Sequence, residues 1–194
     1  MSSQSVTLSI NGQAVSVPNG KTILDACKQL DLSIPTLCYL ENLTPVNACR
    51  ICVVELEGSR TLVPACSRLA EPNMKIQTDS KRVFHSRKLV FELLASSVDL
   101  SLASQEIRNF MDAYEVSPER FGNPSGQTLE GERETRRVGH HKIENGQRAE
   151  TVAQPVKIHD EMYVRDYSKC ILCYKCVEAC GEDAQNTFAI SVAG

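Results

Sequence analysis

Cys49-Arg50-Ile51-Cys52-Val53-Val54-Glu55-Leu56 joins a close cysteine pair to an apolar run with strand character, and the N-terminal half of the chain is read outward from it. Ten residues separate Cys38 from Cys49 and thirteen separate Cys52 from Cys66, so the set reads C-x10-C-x2-C-x13-C. Structural zinc favours two separated close pairs that complete a tetrahedron. One pair with two outlying thiols fits that poorly, whereas a long loop and a returning strand can surround the flat rhomb of a [2Fe-2S] cluster. Gly58-Ser59 reads as a turn, and Thr61 to Pro64 as the partner of the Val53 strand.

Upstream, Val6, Leu8 and Ile10 alternate with polar residues, Asn11-Gly12 is a strong hairpin signal, and Ala14 to Val17 supplies the return strand. Thr22 serves as N-cap of a helix with Asp25 three residues on, Ile23, Leu24, Cys27 and Leu30 as its buried stripe, and Pro35 as its stop. Cys27 belongs to neither ligand group and reads as a small core residue. Hairpin, helix, ligand loop and strands in this order predict a β-grasp ferredoxin domain over residues 1–79.

Near the other end, Cys170-Ile171-Leu172-Cys173-Tyr174-Lys175-Cys176-Val177-Glu178-Ala179-Cys180 places four thiols within eleven residues. A tight loop carrying the first three sulfurs can wrap three corners of a cubane, so the run predicts a [4Fe-4S] site, with Cys180 on the helix that follows. In bacterial ferredoxins the fourth cysteine of such a run ligates a different cluster and precedes a proline. Here Gly181 follows. Tyr163 to Asp166 reads as a short strand leading in, and Phe188, Ile190 and Val192 alternate like another.

Between the two sets, residues 80–116 read as a helical connector. Val83, Phe84, Val90, Phe91 and Leu94 line one helix ending near Ser97, and Ile107, Phe110, Met111 and Tyr114 line a second from Ser104 to Val116. His85 is read as a packed or surface residue. Residues 117–155 hold five of the ten glycines, three of the eight prolines and few large apolar side chains. They predict an extended linker or an arm laid over a partner. His140-His141 reads as a solvated pair, and residues 156–194 form the [4Fe-4S]-binding segment.

Composition bounds the function. Net charge is -3, with ten basic and eight acidic side chains in residues 1–97 and eleven and sixteen in residues 98–194, so no basic face invites nucleic acid. The start of the chain has no basic and apolar leader pattern, and no apolar run is long enough to span a bilayer. A cytoplasmic location is expected, where nine cysteines favour metal ligation over disulfides. No dinucleotide fingerprint, nucleophile-base pair or carboxylate constellation suggests catalysis.

The Cys38, Cys49, Cys52 and Cys66 set resembles the N-terminal [2Fe-2S] domain shared by the large iron-sulfur subunit of respiratory complex I, the diaphorase small subunit of NAD-linked hydrogenases, [FeFe] hydrogenases and NAD-linked formate dehydrogenases. The stretch from Tyr163 to Cys176, with Asn186 to Ile190, is most similar to formate dehydrogenase alpha subunits. Many relatives carry a His-x3-Asp-Cys-x2-Cys-x5-Cys element between these segments. Here the corresponding residues run from Ala95 to Leu102 without a cysteine, so the resemblance implies that this third cluster is absent. Relatives also continue into a second Cys-x2-Cys-x2-Cys-x3-Cys run that exchanges fourth ligands with the first. Either this chain is a piece of a longer polypeptide, or Cys180 closes the single cubane itself.

The expected class is therefore α+β, ending in a partial or single bacterial-ferredoxin-like segment. The expected function is an electron relay that makes and breaks no bonds. By resemblance it would be a hetero-oligomeric component between a flavin/NADH-binding subunit and a catalytic molybdopterin formate dehydrogenase, with an NAD-linked hydrogenase subunit as the alternative. An iron-sulfur sensor and a zinc-stabilised interaction scaffold are the readings from other classes.

Overall fold

The computed structural model describes residues 5–121, 143–144, 147–148, 157–158, 164–166 and 169–191. They fall into two compact units, residues 1–90 with 173–194, and residues 91–172.

In the first unit, β1 (Ser5–Ile10) buries Val6, Leu8 and Ile10, as the alternation predicts. Asn11 and Gly12 adopt φ of 50° and 83°, the left-handed pair that a two-residue hairpin requires. β2 (Gln13–Pro18) returns antiparallel, with Leu8 opposite Val15 and Val6 opposite Val17. The Asn11 side chain also donates to Thr78 Oγ1 at 2.7 Å and accepts the Thr78 N–H at 2.9 Å.

α1 (Ile23–Gln29) begins at Thr22, whose hydroxyl accepts the Asp25 N–H while the Asp25 carboxylate accepts the Thr22 N–H. This reciprocal cap is worth about 0.5–2 kcal/mol. Pro35 is not what ends the helix. It stops at Leu30, and Asp31 follows with φ of 55°.

β3 (Val53–Leu56), β4 (Val63–Pro64) and β5 (Lys75–Gln77) complete a five-stranded sheet in the order β2-β1-β5-β3-β4. β1 and β5 run parallel and every other pair antiparallel, giving the expected β-grasp order. Ile10, Val17, Ile23, Ala26, Cys27, Val54, Ala65 and Ile76 form its core.

α2 (Lys81–Ser97) confirms the helix but corrects its face. The buried positions are Val83, Arg87, Phe91, Glu92 and Ala95, while Phe84 is exposed. Hydrophobic spacing misses this stripe because two of its members are charged. Arg87 Nη2 donates to the Val53 carbonyl at 2.8 Å. In the second unit, the Glu92 carboxylate accepts from Arg120 Nη1 at 3.1 Å and from the Ser117 N–H at 3.3 Å.

The second unit continues with a 3-10 turn at Leu100–Leu102, capped by Asp99, and with α3 (Gln105–Ala113), capped by Ser104. The Phe91 and Tyr114 rings stack with centroids 5.9 Å apart. Two short antiparallel ladders follow, β6 (Ile143–Glu144) with β7 (Gln147–Arg148), and β8 (Lys157–Ile158) with β9 (Val164–Arg165). β9 coincides with the expected lead-in strand. Most of the expected 117–155 arm, with His140 and His141, lies outside the described residues, as do Tyr163 and Val192.

α4 (Lys175–Cys180) returns to the first unit. Among the described residues the strand expected around Phe188 and Ile190 does not form. Asn186 and Phe188 have φ of 51°, and the N–H groups of Thr187 and Phe188 turn onto the Cys180 carbonyl at 2.9 and 3.0 Å. Backbone donors spent on Cys180 are not available to a neighbouring strand.

Candidate functional site

The four N-terminal cysteines come together on three elements. Cys38 and Cys49 bracket a loop, Cys52 leads into β3, and Cys66 follows β4. Backbone hydrogen bonds hold these elements in place: the Ala65 N–H meets the Cys52 carbonyl at 3.2 Å, and the first amides of α1 meet the Ala65 and Arg68 carbonyls on either side of Cys66 at 2.9 Å. The loop is pinned to α1 through Lys28, which reaches Glu41 at 3.4 Å and lies over the Tyr39 ring. Asn47 and Arg50, flanking Cys49, both take left-handed backbone, with φ of 58° and 56°. Cys38, Cys52 and Cys66 are buried and Cys49 is half-buried.

The thiols touch pairwise. Cys38 is hydrogen-bonded to Cys49 and Cys66, and Cys52 to Cys66. Accepting from Cys49 and Cys66 holds the Cys38 thiol far below its ordinary range. Giving those hydrogen bonds, together with burial, pushes Cys49 and Cys66 up. Its contact with Cys66 draws Cys52 down to about 7. Bound metal is what would hold all four as thiolates. Among the described residues no three His, Cys, Asp or Glu side chains gather round the position of one metal ion. A chain of pairwise contacts suits a wider, two-iron rhomb better than a single tetrahedral ion.

The C-terminal set is more open. Cys170 and Cys176 are exposed, Cys173 is half-buried and Cys180 is buried. Leu172 and Tyr174 have φ of 51° and 63°, so the chain coils tightly before α4. Cys180 Sγ accepts the Ala189 N–H at 3.0 Å and lies 3.1 Å from Thr187 Oγ1. The Thr187 contact, ahead of the backbone donors, holds its thiol below the ordinary range. Four thiols in one short run, with N–H donors already aimed at one sulfur, have the chemistry a cubane needs. One turn beyond Cys180, the Asp183 carboxylate accepts from the Thr44 N–H at 2.5 Å and from Thr44 Oγ1 at 3.1 Å. This clasp reaches the Cys38–Cys49 loop across the sequence, and no spacing rule signals it.

Residues 3–81 match the family described as the 2Fe-2S iron-sulfur cluster binding domain, and residues 163–185 match the 4Fe-4S binding domain. The chain carries one domain of each kind. Its cofactors are accordingly a [2Fe-2S] and a [4Fe-4S] cluster. It is 36% identical over 182 residues to the NADP-reducing hydrogenase subunit HndD of Solidesulfovibrio fructosivorans, a match covering 90% of this chain and 27% of that one. It is 28% identical over 183 residues to an NADH-quinone oxidoreductase subunit of Rhizobium meliloti, covering 91% and 19%. The NADPH-Fe(3+) oxidoreductase subunit alpha of Geobacter sulfurreducens is 38% identical over 89 residues, covering 46% and 10%. This iron-sulfur chain thus spans about a quarter or less of these curated relatives. A crystal structure of an NAD+-reducing [NiFe]-hydrogenase shares its fold, with a TM-score of 0.69 at 19% identity over 98% of this chain and 72% of that one. The resemblance drawn from cysteine spacing holds.

Where the resemblance places ligands of a third cluster, the described structure has an ion pair. Asp99 meets Lys169 Nζ at 2.7 Å, and Ser101 Oγ accepts from the same ammonium at 2.6 Å. Lys169 directly precedes Cys170.

Proposed function

We propose that this chain is an electron-transfer module. Cys38, Cys49, Cys52 and Cys66 hold the [2Fe-2S] cluster, and Cys170, Cys173, Cys176 and Cys180 hold the [4Fe-4S] cluster. The observation that carries this reading is the pairwise contact of four thiols, three buried and one half-buried, beside a β-grasp sheet. When bound, such clusters accept and return single electrons with no bond made or broken in a substrate. The protein's share is to exclude water from the first site, hold the loop through Lys28 and Thr44, and direct N–H donors at sulfur.

Relatives named for NAD(P)-linked hydrogenase and NADH-quinone oxidoreductase activity support a place in a hetero-oligomeric complex. There the module would pass electrons between a flavin/NADH-binding subunit and a catalytic hydrogenase-type subunit. The formate dehydrogenase setting expected from the sequence is not among the relatives named above. A cytoplasmic placement is part of this reading; among the described residues no helix is long and apolar enough to cross a membrane. Residues 1–79, 80–116, 117–155 and 156–194 serve in this reading as first cluster domain, connector, arm and second cluster segment.

The test is a reductive titration of the cluster-loaded chain, followed by reoxidation with a one-electron dye. Reversible uptake of one electron per cluster, without oxidation of NADH, hydrogen or formate by the chain alone, is expected. Turnover of any of these by the isolated chain would contradict a pure relay.

A further inference from the structure

Arg87 stands where the helical pattern calls for an apolar side chain. It lies on the buried stripe of α2 between Val83 and Phe91, only 3% exposed. Its Nη2 donates to the Val53 carbonyl at 2.8 Å, and Val53 directly follows Cys52 in the chain. The Cys52 carbonyl in turn accepts the Ala65 N–H beside Cys66. A guanidinium does not lose its proton in a protein. The fold therefore keeps a full positive charge out of water, against the strand that Cys52, one of the four thiols, leads into. Its field also reaches the Cys27 thiol on α1, where it works against the burial that pushes that group up to about 11. A charge held in this way acts on its surroundings through protein rather than through water, so its field is weakly screened.

A [2Fe-2S] cluster on four thiolates brings negative charge into that field. Two ferric irons, two sulfides and four thiolates sum to a net negative charge, and an added electron deepens it. We propose that Arg87 is a charge partner of the [2Fe-2S] cluster and raises its midpoint potential by favouring the reduced, more negative form. This rests on the assignment of Cys38, Cys49, Cys52 and Cys66 as ligands. Net charge and burial are among the determinants of cluster potential. An arginine serving only to tie α2 to β3 would leave the potential alone.

The experiment is an EPR-monitored redox titration of the whole chain with both clusters bound, in the wild type, Arg87→Gln, Arg87→Met and Arg87→Lys. Gln keeps an N–H donor for the Val53 carbonyl without the charge. Met replaces the buried charge by an apolar side chain, a change that folds often tolerate. Lys keeps the charge. The [2Fe-2S] midpoint is expected to fall in Arg87→Gln and Arg87→Met and to stay near the wild-type value in Arg87→Lys, with the [4Fe-4S] midpoint unmoved throughout. A wild-type midpoint in either neutral variant overturns the proposal. So does an equal fall in Arg87→Lys, which would trace the effect to guanidinium geometry. Retention of the [2Fe-2S] signal in Cys52→Ala strikes instead at the ligand assignment.

Discussion

Cys38, Cys52 and Cys66 are buried at the core of a five-stranded sheet, whereas Cys170 and Cys176 are exposed, the one ahead of a helix of six residues and the other in its first turn. The first site is assembled by tertiary structure. Its thiols come from a loop and two strand ends, and Cys52 and Cys66 are placed by backbone pairing that also serves the apolar core. The second is carried by a local run, and a helix this short has little stability in isolation. The first set is thus placed by the fold, and the second is expected to depend on its metal for order.

Removing single ligands separates the two sites. Cys52→Ala is expected to abolish the [2Fe-2S] EPR signal completely and leave the [4Fe-4S] signal intact, and Cys173→Ala to do the reverse. Loss of both signals from either change would mean that the two sets do not act separately. Stripping iron from the whole chain sharpens the contrast. Amide hydrogen exchange in residues 175–180 should rise to nearly open rates while β1, β2 and β5 stay protected. Equal deprotection of both regions would show that the sheet too depends on its cluster.

Core substitutions probe the preformed side. Ile10→Ala should cost about 2–5 kcal/mol in denaturant unfolding, since Ile10 is fully buried. Leu172→Ala, at a residue 63% exposed, should change stability by no more than about 0.5 kcal/mol. A smaller effect than the core change belongs to Thr22→Ala, which removes the α1 cap and should cost about 1 kcal/mol, read as a lower unfolding midpoint. The smallest concerns Cys27, whose folded thiol ionises near 11 against an ordinary 9. A raised folded value favours the native state below the ordinary value, and that preference fades as pH climbs from about 9 through about 11. Cys27→Ala should flatten this part of the stability profile and leave both cluster signals in place.

Much of the first site was legible because its signals are local. Val6, Leu8 and Ile10 alternate, Asn11-Gly12 can adopt the left-handed turn, and Thr22 with Asp25 forms a cap whose partners are three residues apart. The misses share a physical cause. Arg87 and Glu92 occupy buried helical positions that hydrophobic periodicity assigns elsewhere, because their partners, Val53 and Arg120, are distant in sequence. The Phe188 and Ile190 alternation looked like a strand, yet the backbone donors there serve Cys180. The Thr44–Asp183 clasp joins residues that no local pattern relates. Long-range polar pairing is what a linear reading cannot see.

Purification of the chain without oxygen, with iron and acid-labile sulfide measured and EPR spectra recorded after dithionite reduction, shows whether it holds two clusters. The expected result is iron and sulfide in the amounts of one two-iron and one four-iron cluster, with one slowly relaxing signal and one visible only at low temperature. A colourless, iron-free chain, or one holding a single zinc, would contradict it.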